Sequence, residues 1–126
     1  MERRIRIRAG AVEIAAEMNN SQTARAIWDT LPVRGYVNLW GDEIYFSVPL
    51  NLEPDDAQEL VAIGDLGYWP QGPALRIFFG LTPISKGQEI RPASPVNVFG
   101  KIVGNTAVLR EIPSGTEIVL EKDTQD

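Results

Sequence analysis

A chain of 126 residues suits one domain with one core, and 44% hydrophobic content is that of a folded protein rather than a disordered one. Seventeen acidic against twelve basic residues leave a net charge of -5, which argues against a binder of phosphate backbones and so against nucleic acid as partner. Without cysteine or histidine there can be no disulfide or thiolate chemistry, and the commonest metal ligand and neutral-pH general base are missing.

The opening MERRIRIRAG lacks the apolar run of a signal peptide, and no later stretch is apolar enough to span a bilayer. A cytoplasmic protein with no membrane contact is the expectation. RRIRIRAGAVEIAAEM predicts a hairpin. Ile5 and Ile7 point one way and Arg4, Arg6 and Arg8 the other, while Val12, Ile14 and Ala16 alternate with Glu13 and Glu17. The arginines, Arg3 included, read as a surface strand beside an acidic neighbour. Ala24, Ile27, Trp28 and Leu31 then fall on one face of a helix, with Ser21 as N-cap and Pro32 as stop, long enough to plug an open end.

RGYVNLW and EIYFSVPL flank Gly41-Asp42 and predict a second hairpin. Pro54, Asp55 and Asp56 mark a loop or helix start, followed by a strand toward Tyr68. PQGP is a turn and ALRIFFG a strand. LTPISKGQEIRPASP, with three prolines, is an irregular loop of the kind that borders a site. Val96 to Ile102 is a strand, NTAVLREI a short helix, TEIVLEK the last strand, and KDTQD a frayed end. About eight strands, two short helices and no repeat or linker predict a mainly β single domain over residues 1–126. The expected form is a closed or nearly closed barrel capped by helices.

VFGKIVGNTAVLREI resembles the C-terminal signature of cyclophilins, a His-Val-Val-Phe-Gly-Lys-Val run leading into a short helix, and ALRIFFG resembles their Ser-Gln-Phe-Phe-Ile strand. NLWGDEIYFSVPLN, IGDLGYWPQGPALRIFFG and RPASPVNVFGKIV together resemble a small, uncharacterised prokaryotic family of cyclophilin-like proteins, over about Val33 to Ile112. The resemblance implies a closed eight-stranded antiparallel β-barrel capped by two short helices, which agrees with the element count. It also implies a distant relation to peptidyl-prolyl cis-trans isomerases, which hold a proline in an apolar pocket beside an arginine. They lower a barrier of roughly 18–20 kcal/mol for an ordinary peptide bond with neither nucleophile nor metal.

At the matching positions Val96 stands where a cyclophilin has its pocket histidine, and YVNLW, the counterpart of the strand with the catalytic arginine, contains no arginine. The glutamine of the Ser-Gln-Phe-Phe-Ile strand falls on Arg76 or Ile77. Arg76 is preferred, because alternation then sets Leu75, Ile77 and Phe79 toward the core and Arg76 and Phe78 toward the groove. The same alternation turns Val37 and Leu39 inward and Tyr36, Asn38 and Trp40 outward. It turns Ile44, Phe46 and Val48 inward and Glu43, Tyr45 and Ser47 outward. With cyclophilin-like strand order, the ligand-binding candidates are Asn38, Trp40, Tyr45, Ser47, Arg76, Phe78 and Val96, and the catalytic candidates Arg76 and Phe78. Aromatic walls with a few polar groups suit a small molecule or a proline-containing peptide.

Each candidate also has a structural role open to it. Trp40, Tyr45 and Trp69 can pack beneath the proline-rich loop, Trp69 can anchor the turn at Pro70, and Arg76 can pair with Glu43. Arg91 can reach over the groove from the loop. Asp42-Glu43 and Asp55-Asp56 lack the spacing of a calcium loop and read as turn and cap residues, so no metal is expected. Gly64, Gly67 and Gly72 precede no helix and form no phosphate loop, so no cofactor is expected. Asn97, on the same face as Phe99, reads as a buried amide tying nearby backbone. A non-catalytic or weakly active binding module is the leading expectation, ahead of an isomerase with an atypical site and of an accessory domain of a hydrolase.

Overall fold

The computed structural model describes residues 3–123. The strands are β1 (Arg3–Ala9), β2 (Val12–Met18), β3 (Val33–Tyr36), β4 (Asn38–Leu39), β5 (Glu43–Ser47), β6 (Asp65–Trp69), β7 (Ala74–Phe78), β8 (Asn97–Val103) and β9 (Glu117–Lys122). A helix α1 (Gln22–Thr30) and a 3-10 helix (Thr106–Glu111) complete the fold. All pairings are antiparallel, in the order β3-β9-β1-β2-β8-β6-β7-β5-β4. The two edges, β3 and β4, are consecutive in the chain, so the sheet curls back on itself into a nearly closed barrel. At the seam Gly35 lies on the ring of Phe46, where an added Cβ would come within 2.6 Å of Cδ2. Only glycine permits that approach.

The predicted first hairpin is β1-β2. Ile5 and Ile7 face Ala16 and Ile14 across it, all buried. On the outer side Arg4 bonds Glu17 at 2.9 Å, Arg6 bonds Glu13 at 2.7 Å and Arg8 pairs with Glu121 of β9 at 2.8 Å. The arginine strand is thus neutralised by acids from both neighbouring strands, as its alternation implied. Such exposed pairs contribute about 0–1 kcal/mol each. Helix α1 begins where expected: the Ser21 hydroxyl accepts the Ala24 N–H at 3.1 Å, while Ala24 and Ile27 are buried.

Among the described residues nine strands replace the expected eight, because YVNLW is not one strand. Val37 exchanges backbone hydrogen bonds with the turn before β9, donating to Thr116 at 2.9 Å and accepting from Gly115 at 2.8 Å. The chain then crosses to pair Asn38 and Leu39 with Tyr45 and Ile44 of β5. This crossing resets the alternation. Val37 is buried as predicted, whereas Leu39, expected inward, is 43% exposed. The C-terminal residues Lys122 and Asp123 are not frayed: Lys122 ends β9, and Asp123 donates its N–H to Arg4 at 3.0 Å. Residues 124–126 of the expected frayed end lie outside the described residues.

The core holds Ile44, Phe46, Leu66, Leu75, Ile77, Phe79 and Phe99 with the inner residues of β1, β2 and β9. Tyr68 is also inside; its hydroxyl accepts the Leu52 N–H at 2.9 Å and donates to the Leu50 carbonyl, fixing the segment that leaves β5. Asn97 is fully buried and ties three elements together. Its Oδ1 accepts the Asp55 N–H at 2.9 Å, and its Nδ2 donates to Thr23 Oγ1 at 3.1 Å and to the Glu53 carbonyl at 3.0 Å.

A second apolar cluster lies on the outer face of the barrel: Phe78, Ile90 and Val96, with Val61, Trp69 and Val98 against them. Two irregular segments strap it down. Gln58 and Val96 exchange backbone hydrogen bonds at 2.8 and 3.0 Å, and the Val61 N–H donates to Ile90 at 3.0 Å. Gly67 makes room beneath, since a Cβ there would come within 2.9 Å of Val96 Cγ2.

Candidate functional site

On the outer face of β5, β6 and β7 the pairing register sets Tyr45 and Gly67 on either side of Arg76, and Glu43 opposite Phe78. The straps cover this face. Glu43, expected to point outward, does point away from the core but is completely buried. Arg76 Nη1 donates to Glu43 Oε2 at 2.6 Å. The guanidinium is stacked between the Tyr45 ring at 4.7 Å and the Trp69 ring at 4.6 Å. The cation therefore meets two aromatic quadrupoles and a carboxylate, which offsets much of the cost of burying it. Among the described residues Glu43 Oε1 has no hydrogen-bond partner. Burial pushes the Glu43 carboxyl above its ordinary value, and the Arg76 hydrogen bond and charge counter only part of that rise.

Beside this covered face, at the end where β7 runs out into the proline-rich loop, a cleft of about 520 Å³ is open. Leu60, Val61, Ala62 and Ile63 form one wall; Phe79, Gly80 and Leu81 form the floor; Gln88, Glu89 and Ile90 close the far side. Asp42 and Arg110 stand at the rim and also line an adjoining hollow of about 150 Å³ with Leu39, Leu109 and Ile112. Leu60, Ile63 and Leu81 are each more than two-fifths exposed, an apolar surface left open by the described residues.

The far wall is held in place by its own loop. Ser85 Oγ accepts the N–H groups of Thr82 and Arg91 at 3.0 and 3.1 Å, and Thr82 donates its hydroxyl to the Arg91 carbonyl. Arg91 does not reach over the outer face; its Nε donates to Glu89 at 2.9 Å, and that bond holds the Glu89 carboxyl below the ordinary range.

Of the seven ligand candidates, the structure brings Tyr45, Arg76 and Phe78 together on one face, with Val96 against Phe78. Phe78 and Val96 are buried under Ile90, so they line no open groove. Asn38 and Ser47 are exposed and Trp40 is half-buried. The Asn38 amide is within 3.3 Å of the carbonyls of Tyr36 and Tyr45. None of the seven lines the cleft. Its own residues carried one legible signal: Leu60, Ile63 and Leu81 are large apolar residues in loop segments, where no strand face calls for them. Asp55 accepts from the N–H and hydroxyl of Thr23 at 3.1 and 2.9 Å, the cap-like role expected of it. Among the described residues no group of three or more acidic side chains could hold a metal ion, and no helix is long and apolar enough to cross a membrane.

A family model described as Cyclophilin-like matches residues 3–121. The solution structure of the hypothetical protein AF2241 from Archaeoglobus fulgidus is similar at a TM-score of 0.83 and 40% identity, over 97% of this chain and 95% of that one. A search of curated proteins finds no match.

Proposed function

From the membership of this chain in the cyclophilin-like family, we propose that it is a non-catalytic binding module that takes a small molecule in the cleft beside the covered barrel face. The observation that carries this is the cleft itself. Its volume, about 520 Å³, falls within the roughly 300–1,000 Å³ of small-molecule sites, and its apolar walls carry a few polar groups at the rim. Isomerase chemistry would ask Arg76 to meet the amide of a bound proline. Here that guanidinium is 92% buried at its side chain, bonded to Glu43 and enclosed by two rings, with Ile90 seated on the neighbouring Phe78.

A thermal-shift screen of small metabolites, paired with an exchange assay on an X-Pro peptide, tests the reading. A ligand should raise the melting temperature with concentration, and Leu81→Asp should abolish the rise in a protein that still folds. Isomerisation above background that is lost in Arg76→Ala would contradict it.

A second reading places the ligand on the outer face, at Asn38, Trp40, Tyr45, Ser47, Arg76, Phe78 and Val96, with the straps displaced. The unpartnered Glu43 Oε1 favours it, because a buried carboxylate oxygen without a donor is costly unless something supplies one. On that reading Tyr45→Ala, not Leu81→Asp, removes the thermal shift.

A further inference from the structure

Among the described residues the cleft lining carries one cation, and that cation is set up to receive an anion. Arg110, in the last turn of the 3-10 helix, lies over the Phe79 ring at 5.3 Å and pairs through Nη1 with Asp42 Oδ2 at 2.9 Å. Its side chain is 54% exposed, and among the described residues its Nε and Nη2 have no other partner. Asp42 is fixed in turn. Its N–H donates to Leu81 and its carbonyl accepts from Phe79, both at 2.9 Å, and its carboxylate lies so close to Gly80 that any Cβ there would overlap it. The two carboxylates lining the cleft are both engaged, Asp42 with Arg110 and Glu89 with Arg91.

Resting on the binding reading above, we propose that the ligand is an amphipathic monocarboxylate. Its carboxylate lies on the outer edge of the Arg110 guanidinium, and its apolar body lies on Leu60, Ile63, Leu81 and Phe79. A planar guanidinium with two free donor groups matches a carboxylate in a way that an ammonium or hydroxyl head cannot. Asp42 acts as a positioning residue that keeps those donors aimed at the cleft. The net charge of -5 works against loosely held anions, so a preference for an anionic head would report this one arginine.

Methyl-labelled protein titrated in NMR with octanoate, 1-octanol and octylammonium, three probes with one tail and different heads, tests the proposal. Octanoate should bind about tenfold more tightly than 1-octanol, the gain of a charge-assisted hydrogen bond at a half-exposed site. Both should move the methyl signals of Leu60, Ile63 and Leu81. Arg110→Gln should erase the advantage of octanoate, so that octanoate and 1-octanol bind that variant equally, and 300 mM salt should narrow the gap in the unmodified protein. Equal affinity for octanoate and 1-octanol, or tighter binding of octylammonium, overturns the carboxylate assignment while leaving the cleft as a binding site. No methyl shift with any probe overturns both.

Discussion

Removing the Asn97 amide should be among the most damaging single substitutions in this fold that leave the apolar core intact. Asn97→Ala deletes the acceptor of the Asp55 N–H and the donor to the Glu53 carbonyl, together with the bond to Thr23 Oγ1. Thr23 keeps a partner, because its hydroxyl also donates to Asp55 Oδ2 at 2.9 Å. The Asp55 N–H and Glu53 carbonyl do not recover so simply, since both face a site where the amide was fully buried. Three bonds at about 1 kcal/mol net, or one stranded donor at about 1–3 kcal/mol plus the lost contacts, give the same answer of about 3 kcal/mol. For a domain of this size that corresponds to about a 10 °C fall in melting temperature. Urea unfolding should show a lower midpoint with an unchanged slope, the mark of lost stability without a change in compactness. A loss under about 0.5 kcal/mol would refute the reasoning, as would unaltered melting with abolished ligand binding.

Three further outcomes are expected. Glu43 has its carboxyl pKa raised from 4.5 by burial. The folded state therefore holds that proton more tightly, and the stability this adds is complete below about pH 4.5 and lost as pH rises through the raised value. The stability of the unmodified protein relative to Glu43→Gln should fall over that window, and a relative rise would contradict the assignment. Arg76→Ala leaves a buried carboxyl without its partner and should cost about 3–5 kcal/mol by urea unfolding; a loss below 1 kcal/mol would mean that the stacked pair carries little of the covered face. Gly67→Ala pushes on Val96 from below and should cost about 1–3 kcal/mol. Amide exchange at Gln58, Val61 and Val96 should accelerate first, whereas uniform acceleration would mean that the straps do not open separately.

Much of the barrel could be read from side-chain alternation, because one face of each long strand is buried and the other is wet. Ile5 and Ile7 against the arginines, and Leu75, Ile77 and Phe79 against Arg76, occupy the sides the alternation gives them. The break at Val37 could not be read, because no proline or glycine marks it and its cause is a backbone exchange with Gly115 and Thr116, almost eighty residues away. The cover over the outer face could not be read for a similar reason. Gln58 meets Val96 and Val61 meets Ile90 through backbone groups, which leave no pattern in the sequence. Glu43 is legible in the sequence as a partner for Arg76, but its complete burial is not. The place of Arg110 at the cleft rim could not be read either, because it comes from the fold setting Arg110 beside Asp42.

The most direct test of the central claim is the methyl NMR spectrum of the protein titrated with small apolar ligands. Saturable shifts gathered on Leu60, Val61, Ile63, Leu81 and Ile90 are the predicted result. Shifts centred on Val96 and Val98 beneath the straps, or none at any ligand concentration, would contradict it.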